Sequence, residues 1–148
     1  MTATGGESRT IWSYSVWLYG TGDAFGQAPV EPTGIIGIIY RGDTGRYGCS
    51  RPDTSYGVHS YLSEAQAHWI HVVVTYDGTT WNIYLNGALD YSYSFSIGSH
   101  SSFAFGRNPY TGAGEYYRGY IANFRFYDHV LTSSEIAALY AELTPTSN

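Results

Sequence analysis

The sequence predicts an all-β fold: a two-sheet antiparallel sandwich with one short helix at its C-terminal end. Apolar residues alternate with a period of two, Gly-rich turn signals separate many short runs, and the one credible helix, opened by a capping box, falls near the end of the chain. Trp12, Tyr14, Val16 and Leu18 alternate with Ser13, Ser15, Trp17 and Tyr19, the pattern of a strand with one face packed inward. Ile35 to Tyr40 is a β-branched run between Gly34 and the Arg41-Gly42-Asp43-Thr44-Gly45 turn, and reads as a buried strand. Tyr47 to Gln66 is ambiguous. Trp69 to Tyr76 and Trp81 to Leu85 form the clearest hairpin, joined by Asp77-Gly78-Thr79-Thr80, and Asn86-Gly87 turns the chain into Ala88 to Ile97. Phe103 to Gly106 and Tyr117 to Tyr127 are two further strands. In the second, Tyr120, Ala122, Phe124 and Phe126 are expected on one face, opposite Ile121, Asn123, Arg125 and Tyr127.

The helix follows. Thr132-Ser133-Ser134-Glu135 spells a capping box, with Leu131 and Ile136 placed as a hydrophobic staple. Ile136, Leu139, Tyr140 and Leu143 share a stripe expected to cover an open end of the sandwich, and Pro145 is expected to stop the helix. One domain is expected over residues 1–148, with its core at about 9–143 and loose ends over the first eight residues and Thr144 to Asn148.

Composition narrows the functional classes. Seven Arg and no Lys stand against twelve acidic residues, for a net charge of -5, too few cations for a phosphate-binding stripe. A nucleic-acid partner and an anionic membrane surface are both disfavoured. Apolar runs such as residues 34–39 are too short to span a bilayer, so no membrane insertion is expected. The lone Cys49 leaves no internal disulfide and no Cys-based zinc site. Met1 to Gly6 leads straight into strand-like sequence, so no signal peptide is expected in this chain.

Several blocks together resemble a known family. Trp69-Ile70-His71-Val72, Tyr76-Asp77-Gly78 and Ile83-Tyr84-Leu85-Asn86-Gly87 are similar to the hairpin of laminin G-like domains, members of the concanavalin A-like lectin and glucanase superfamily of jelly rolls. The likeness extends upstream to Ser13-Tyr14-Ser15-Val16-Trp17-Leu18. Downstream it takes in Phe105-Gly106, Arg118 to Tyr127, and Leu131 to Tyr140, which resembles the family's closing turn and helix. The resemblance covers roughly Ser13 to Leu143 and implies a jelly-roll sandwich. The family's opening strand has no counterpart in this pattern, so it is expected to be missing, replaced, or lent by a neighbour.

That superfamily holds both glucanases and non-catalytic binders, so function has to be argued from the site. A retaining glycosidase needs two carboxyl groups about 5 Å apart. The superfamily's clustered E-x-D-x-E motif is absent, leaving only distant combinations such as Glu64 with Glu115. Cys49 near Arg51 reads as a small half-buried thiol rather than a nucleophile. His59, His68, His71, His100 and His129 show no metal-binding spacing: His68 and His71 fall on opposite faces of a strand, and His71 is expected to hydrogen-bond within the sheet. Resemblance to laminin G-like domains implies calcium at the sandwich rim in many members. Asp23, Asp43, Asp53, Asp77 and Asp128 are candidates by type, but no metal site is located. Arg41-Gly42-Asp43 spells an integrin-binding tripeptide, though Gly-Asp is also ordinary turn chemistry.

The aromatic loops carry the most functional weight. Sugars offer flat C–H faces to aromatic rings and hydroxyls to polar side chains, and loops on a rigid scaffold are where binding groups concentrate. Arg107, Asn108, Tyr110, Glu115, Tyr116 and Tyr117 share one Gly-rich loop and form the candidate ligand site. A second loop, Arg46 to His59, offers Tyr47, Arg51, Asp53 and Tyr56. Tyr91 and Tyr93 alternate with Ser92 and Ser94, which suits a half-buried strand or a protein interface. The expected function is a non-catalytic, lectin-like glycan-binding module, extracellular or on a virion surface. The alternative is an assembly protein, such as a phage decoration or fibre component, packing as a homo-oligomer or on a virion scaffold protein.

Overall fold

The computed structural model describes residues 2–21, 27–32, 38–41, 45–49, 68–94, 100–107, 116–142 and 144–145. Ten strands and one helix follow in order: β1 (Thr2–Arg9), β2 (Trp12–Gly20), β3 (Gln27–Pro32), β4 (Ile38–Arg41), β5 (Arg46–Cys49), β6 (Trp69–Tyr76), β7 (Thr80–Leu85), β8 (Ala88–Ser94), β9 (His100–Phe105), β10 (Gly119–Tyr127) and α1 (Ser133–Tyr140). They form two five-stranded antiparallel sheets, ordered β1-β9-β3-β4-β5 and β10-β2-β6-β7-β8. The layers bury Trp12, Tyr14, Val16 and Leu18 of β2 against Val30, Ile38, Tyr40, Tyr47 and Phe103 of the first sheet.

Two expectations are corrected at the chain ends. The first eight residues are not loose: β1 pairs with β9, Thr2 opposite Ala104 and Arg9 opposite His100. Strand β1 thus takes the edge beside β9. Its Thr- and Gly-rich sequence carries no alternating apolar pattern, which is why an edge strand went unseen. The helix, in turn, does not close an open end. It lies on the outer face of the second sheet, where Leu131 and Ile136 pack with Val73, flanked by Tyr84, Tyr127 and Leu139. The expected capping box is present: Glu135 N–H donates to Thr132 Oγ1 at 3.2 Å, and Thr132 N–H donates to Glu135 Oε2 at 2.8 Å. The staple pair Leu131 and Ile136 is buried in one cluster. The helix ends at Tyr140, ahead of Pro145, with Ala141 as its C-cap. Leu143 lies outside the described residues.

Both turns of the central hairpin are explained by backbone chemistry. The Asp77 carboxylate accepts from the amides of Thr80 at 2.6 Å and Thr79 at 2.8 Å, which holds its carboxyl below the usual carboxylate range. Asn86 and Gly87 both adopt positive φ, the geometry of a tight hairpin turn whose twist matches the strands.

Alternation along β10 breaks at Asn123. This residue has a left-handed backbone, with a φ of 54°, and the register with β2 shifts between Ala122 and Arg125. Two residues, Asn123 and Phe124, thus oppose Val16 alone, which is a β-bulge. Ile121 and Phe124 consequently both pack against the core, while Tyr120 lies over Tyr19 and Trp69 on the other face. The expected face of Tyr120, Ala122, Phe124 and Phe126 is split by this bulge.

At the other end of β10, Gly119 has a φ of 148°, and a Cβ built there would sit 1.9 Å from the Tyr19 carbonyl oxygen. Gly119→Ala is therefore expected to cost about 2–4 kcal/mol, because backbone rather than a flexible side chain must give way. A urea denaturation midpoint equal to wild type would contradict this.

Candidate functional site

Topology brings several loops to one end of the sandwich. β2 ends there at Gly20, β4 at Arg41 and β9 at Phe105, while β3, β5, β6 and β10 begin there. The Tyr-rich loop after β9 is closed at its base by three backbone contacts. Gly106 N–H donates to Pro29 O at 3.0 Å, Tyr117 N–H donates to Gly106 O at 2.8 Å, and Arg107 bridges antiparallel to Tyr116. Gly106 has a φ of 79°, which the reversal of the chain requires.

Alternation across this closure separates the candidate residues. Arg107 is exposed and Tyr116 is 59% exposed, both at the mouth of the loop. Tyr117 is held inward: its hydroxyl meets that of Tyr47 at 2.9 Å, and its ring stands edge-on to Tyr40. Tyr40 and Tyr47, both fully buried, pack with centroids 4.9 Å apart. Tyr40 fits because Gly20 faces it, where an added Cβ would lie 2.5 Å from the ring. Burial pushes the Tyr47 and Tyr117 phenols well above the ordinary value of 10.0, and raises Tyr40 as well. All three stay neutral hydroxyls over the working range of pH.

The structure therefore joins what the sequence treated as two loops. Tyr47 of the second meets Tyr117 of the first, and Tyr40, read only as part of a buried strand, completes the cluster. The missed signal was the pairing of β4 with β5, which sets Tyr40 opposite Tyr47. Asn108, Tyr110 and Glu115 lie outside the described residues, as do Arg51, Asp53, Tyr56 and His59, and Gly42 and Asp43 of the Arg41-Gly42-Asp43 turn.

The remaining candidates are placed elsewhere. His71 is 1% exposed on the outer face of the second sheet, with Nε2 2.8 Å from Ser15 Oγ, as expected of a histidine bonded within the sheet. Its ring, that of Trp17 and that of Tyr140 meet as a triad, with centroids 5.0 to 6.1 Å apart. Its Nδ1 has no hydrogen-bond partner among the described residues, and burial lowers its pKa from 6.5 to about 4. His129 sits between Asp128 and Glu135 at 3.3 and 3.6 Å. Among the described residues no group of three or more His, Cys, Asp or Glu is gathered to hold a metal. Asp77 is committed to its turn, and Asp23, Asp43 and Asp53 lie outside the described residues. No calcium ligand set is therefore drawn from the described side chains. No helix among them is long and apolar enough to cross a membrane.

A laminin G-type family model, described as the concanavalin A-like lectin/glucanases superfamily, matches residues 3–137. The chain belongs to this superfamily. Solved structures with the superfamily's fold include domain 4 of AbnA, an extracellular arabinanase from Geobacillus stearothermophilus, in complex with arabinotriose. It is 19% identical, with a TM-score of 0.73, covering 93% of this chain and 69% of that one. A Trypanosoma rangeli sialidase matches at 18% identity and a TM-score of 0.71, over 88% of this chain but 22% of the sialidase. The chain thus spans about a fifth of that enzyme. A heptameric pentraxin from Limulus polyphemus matches at 11% identity and a TM-score of 0.71, over 95% of this chain and 81% of that one. At these identities the likeness is one of fold, a superfamily sandwich shared by enzymes and carbohydrate-binding proteins. No curated protein matches the sequence.

Two measurements test the site's framework. Tyr117→Phe leaves the Tyr47 hydroxyl without its partner and is expected to cost about 1–3 kcal/mol. The double variant with Tyr47→Phe should lose less than the sum of the two single changes, and strict additivity would show that the hydroxyls do not interact. For His71, the unfolded chain takes up a proton below about pH 6.5 while the folded ring resists until about 4. Stability is then present above pH 6.5 and lost as pH falls towards 4, by about 2–3 kcal/mol. His71→Gln should flatten that slope, and an unchanged slope would place the titration elsewhere.

Proposed function

We propose that this chain is a non-catalytic glycan-recognition module whose rim, at Arg107 and Tyr116, receives the sugar. The observation that carries the reading is the split across the loop base. Tyr117 is locked inward onto Tyr47, so its neighbours Tyr116 and Arg107 face solvent from a rigid footing. An exposed aromatic ring beside a guanidinium supplies the stacking surface and the hydrogen-bond donors that orient a saccharide. The arabinotriose bound to a domain of the same fold supports a carbohydrate as the ligand class. A place outside the cell or on a virion surface belongs to the same proposal, because polysaccharide is met there. Asn108, Tyr110 and Glu115 are assigned to the same loop by sequence.

The assembly alternative loses one of its supports, since β1 already occupies the sheet edge that a neighbour was expected to fill. Calcium enters the proposal through the rim candidates Asp23, Asp43 and Asp53 of the sequence.

Affinity electrophoresis in arabinan, xylan and β-glucan gels tests the proposal. Arg107→Ala and Tyr116→Ala should each weaken retention about tenfold, roughly 1.4 kcal/mol, with the melting temperature unchanged because both side chains are exposed. Unaltered retention would refute the rim assignment. Release by EDTA would add calcium to the site, and release of reducing sugar during the assay would refute the non-catalytic reading.

A further inference from the structure

The outer face of the second sheet is built in rows running across β10, β2 and β6. Cα pairing sets Tyr127, Ser13 and Thr75 in one row, Arg125, Ser15 and Val73 in the next, then Ala122, Trp17 and His71, and finally Tyr120, Tyr19 and Trp69. The β2 and β6 members of the first three rows are buried beneath α1 and its flanking turns. The helix has only eight residues, about 12 Å of length, and its last residue, Tyr140, reaches no further than Trp17 and His71. The fourth row lies beyond it. Tyr120 is 48% exposed, and Tyr19 and Trp69 are half-buried.

This last row is a continuous aromatic strip. Tyr19 contacts Trp69 at 5.5 Å and Tyr120 at 5.7 Å between ring centroids, and Trp69 lies 6.3 Å from Tyr120. The three rings span two strand spacings, about 10 Å, from the edge strand β10 across β2 to the central strand β6. The strip also adjoins the rim. Tyr116 and Tyr120 are four residues apart, at most about 14 Å of chain, and Thr21 N–H ties β2 to Arg118 O between them at 2.9 Å.

The chemistry of the strip selects its occupant. It holds no aliphatic side chain and no charge, but it carries two phenol hydroxyls beside three ring faces and edges. Bases of a nucleic acid also stack on such rings, yet the chain's net charge of -5 and lack of Lys oppose a polyphosphate backbone. A neutral saccharide offers C–H faces to the rings and hydroxyls to the phenols without that penalty.

We propose that Tyr19, Trp69 and Tyr120 form a second sugar-stacking platform, continuous with the rim. The protein then reads a neutral oligosaccharide chain of several residues rather than one terminal sugar. This inference rests on the glycan-binding reading above and extends it to a different face.

Trp69 supplies the probe, because Trp12, Trp17 and Trp81 are all buried. Arabino-, xylo- and laminari-oligosaccharides, from monosaccharide to hexasaccharide, are titrated while indole emission is followed. Expected is an emission change with the hexasaccharide that Trp69→Phe removes, together with affinity rising along the ladder. Tyr120→Ala should weaken hexasaccharide binding about fivefold to tenfold while leaving monosaccharide affinity and the melting temperature unchanged. If Arg107→Ala loses binding but Tyr120→Ala does not, the platform is overturned and the rim stands. If Tyr120→Ala loses binding but Arg107→Ala and Tyr116→Ala do not, the rim fails and the platform stands. Absence of wild-type binding to every oligosaccharide overturns both. A concentration-dependent dimer that Tyr120→Ala dissociates would make the strip a contact between copies and overturn the platform.

Discussion

Strand β2 is buried on both faces, and that constraint organises the rest of the molecule. Its inward residues Trp12, Tyr14, Val16 and Leu18 form the middle of the core, which any sandwich strand could do. Its outward residues include Ser13 and Ser15, at 0% and 2% exposure, whose hydroxyls need partners once water is excluded. Ser13 Oγ donates to His129 O at 2.8 Å and accepts from Leu131 N–H at 3.0 Å, pinning the turn between β10 and α1 to the sheet. Ser15 meets His71 one strand away. The helix is seated by these polar contacts and by the staple, and the Arg125–Glu142 fork, at 2.7 and 2.8 Å, ties down the segment after its last turn.

Tyrosine does two different jobs here, decided by where its polar tip ends. In the cluster of Tyr40, Tyr47 and Tyr117 the rings fill the core and two of the hydroxyls satisfy each other, so the side chains become framework. At Tyr116 and Tyr120 the rings are open to solvent while their backbone is held by neighbouring strands. A ring presented this way loses little conformational freedom when a ligand stacks on it, because the strand has already ordered it. Tyr therefore serves both as core filling and as rings held open to solvent on the surface.

Membership of the concanavalin A-like superfamily accounts for the sandwich and leaves the chemistry open, since the shared fold serves sialidase, arabinanase and pentraxin chains alike. At one end of this chain's sandwich, inward and outward aromatics alternate across a closed loop base. The outer face adds a row that α1 does not reach, with Tyr120 open to solvent beside the half-buried Tyr19 and Trp69.

Local chemistry made much of this legible from sequence. The capping box, the Asp77-Gly78 and Asn86-Gly87 turns, the central hairpin and the inward face of β2 all depend on residues close together in the chain. Edge strand β1 escaped because it has no alternating pattern and is held by pairing with a strand about a hundred residues away. The bulge at Asn123 escaped because a single positive φ reverses the faces of every residue after it, and that reversal is visible only against the β2 register. The meeting of Tyr47 with Tyr117, seventy residues apart, and the row of Tyr120, Tyr19 and Trp69 depend likewise on which strands lie side by side. Sequence by itself determined the strongly alternating strands, the closing helix and the turns of the central hairpin, because those are set by local backbone preferences and side-chain periodicity. Tertiary structure alone decided which aromatic rings became core and which stayed open, because strand register assigns each ring its face and the length of α1 sets how much of the sheet is covered.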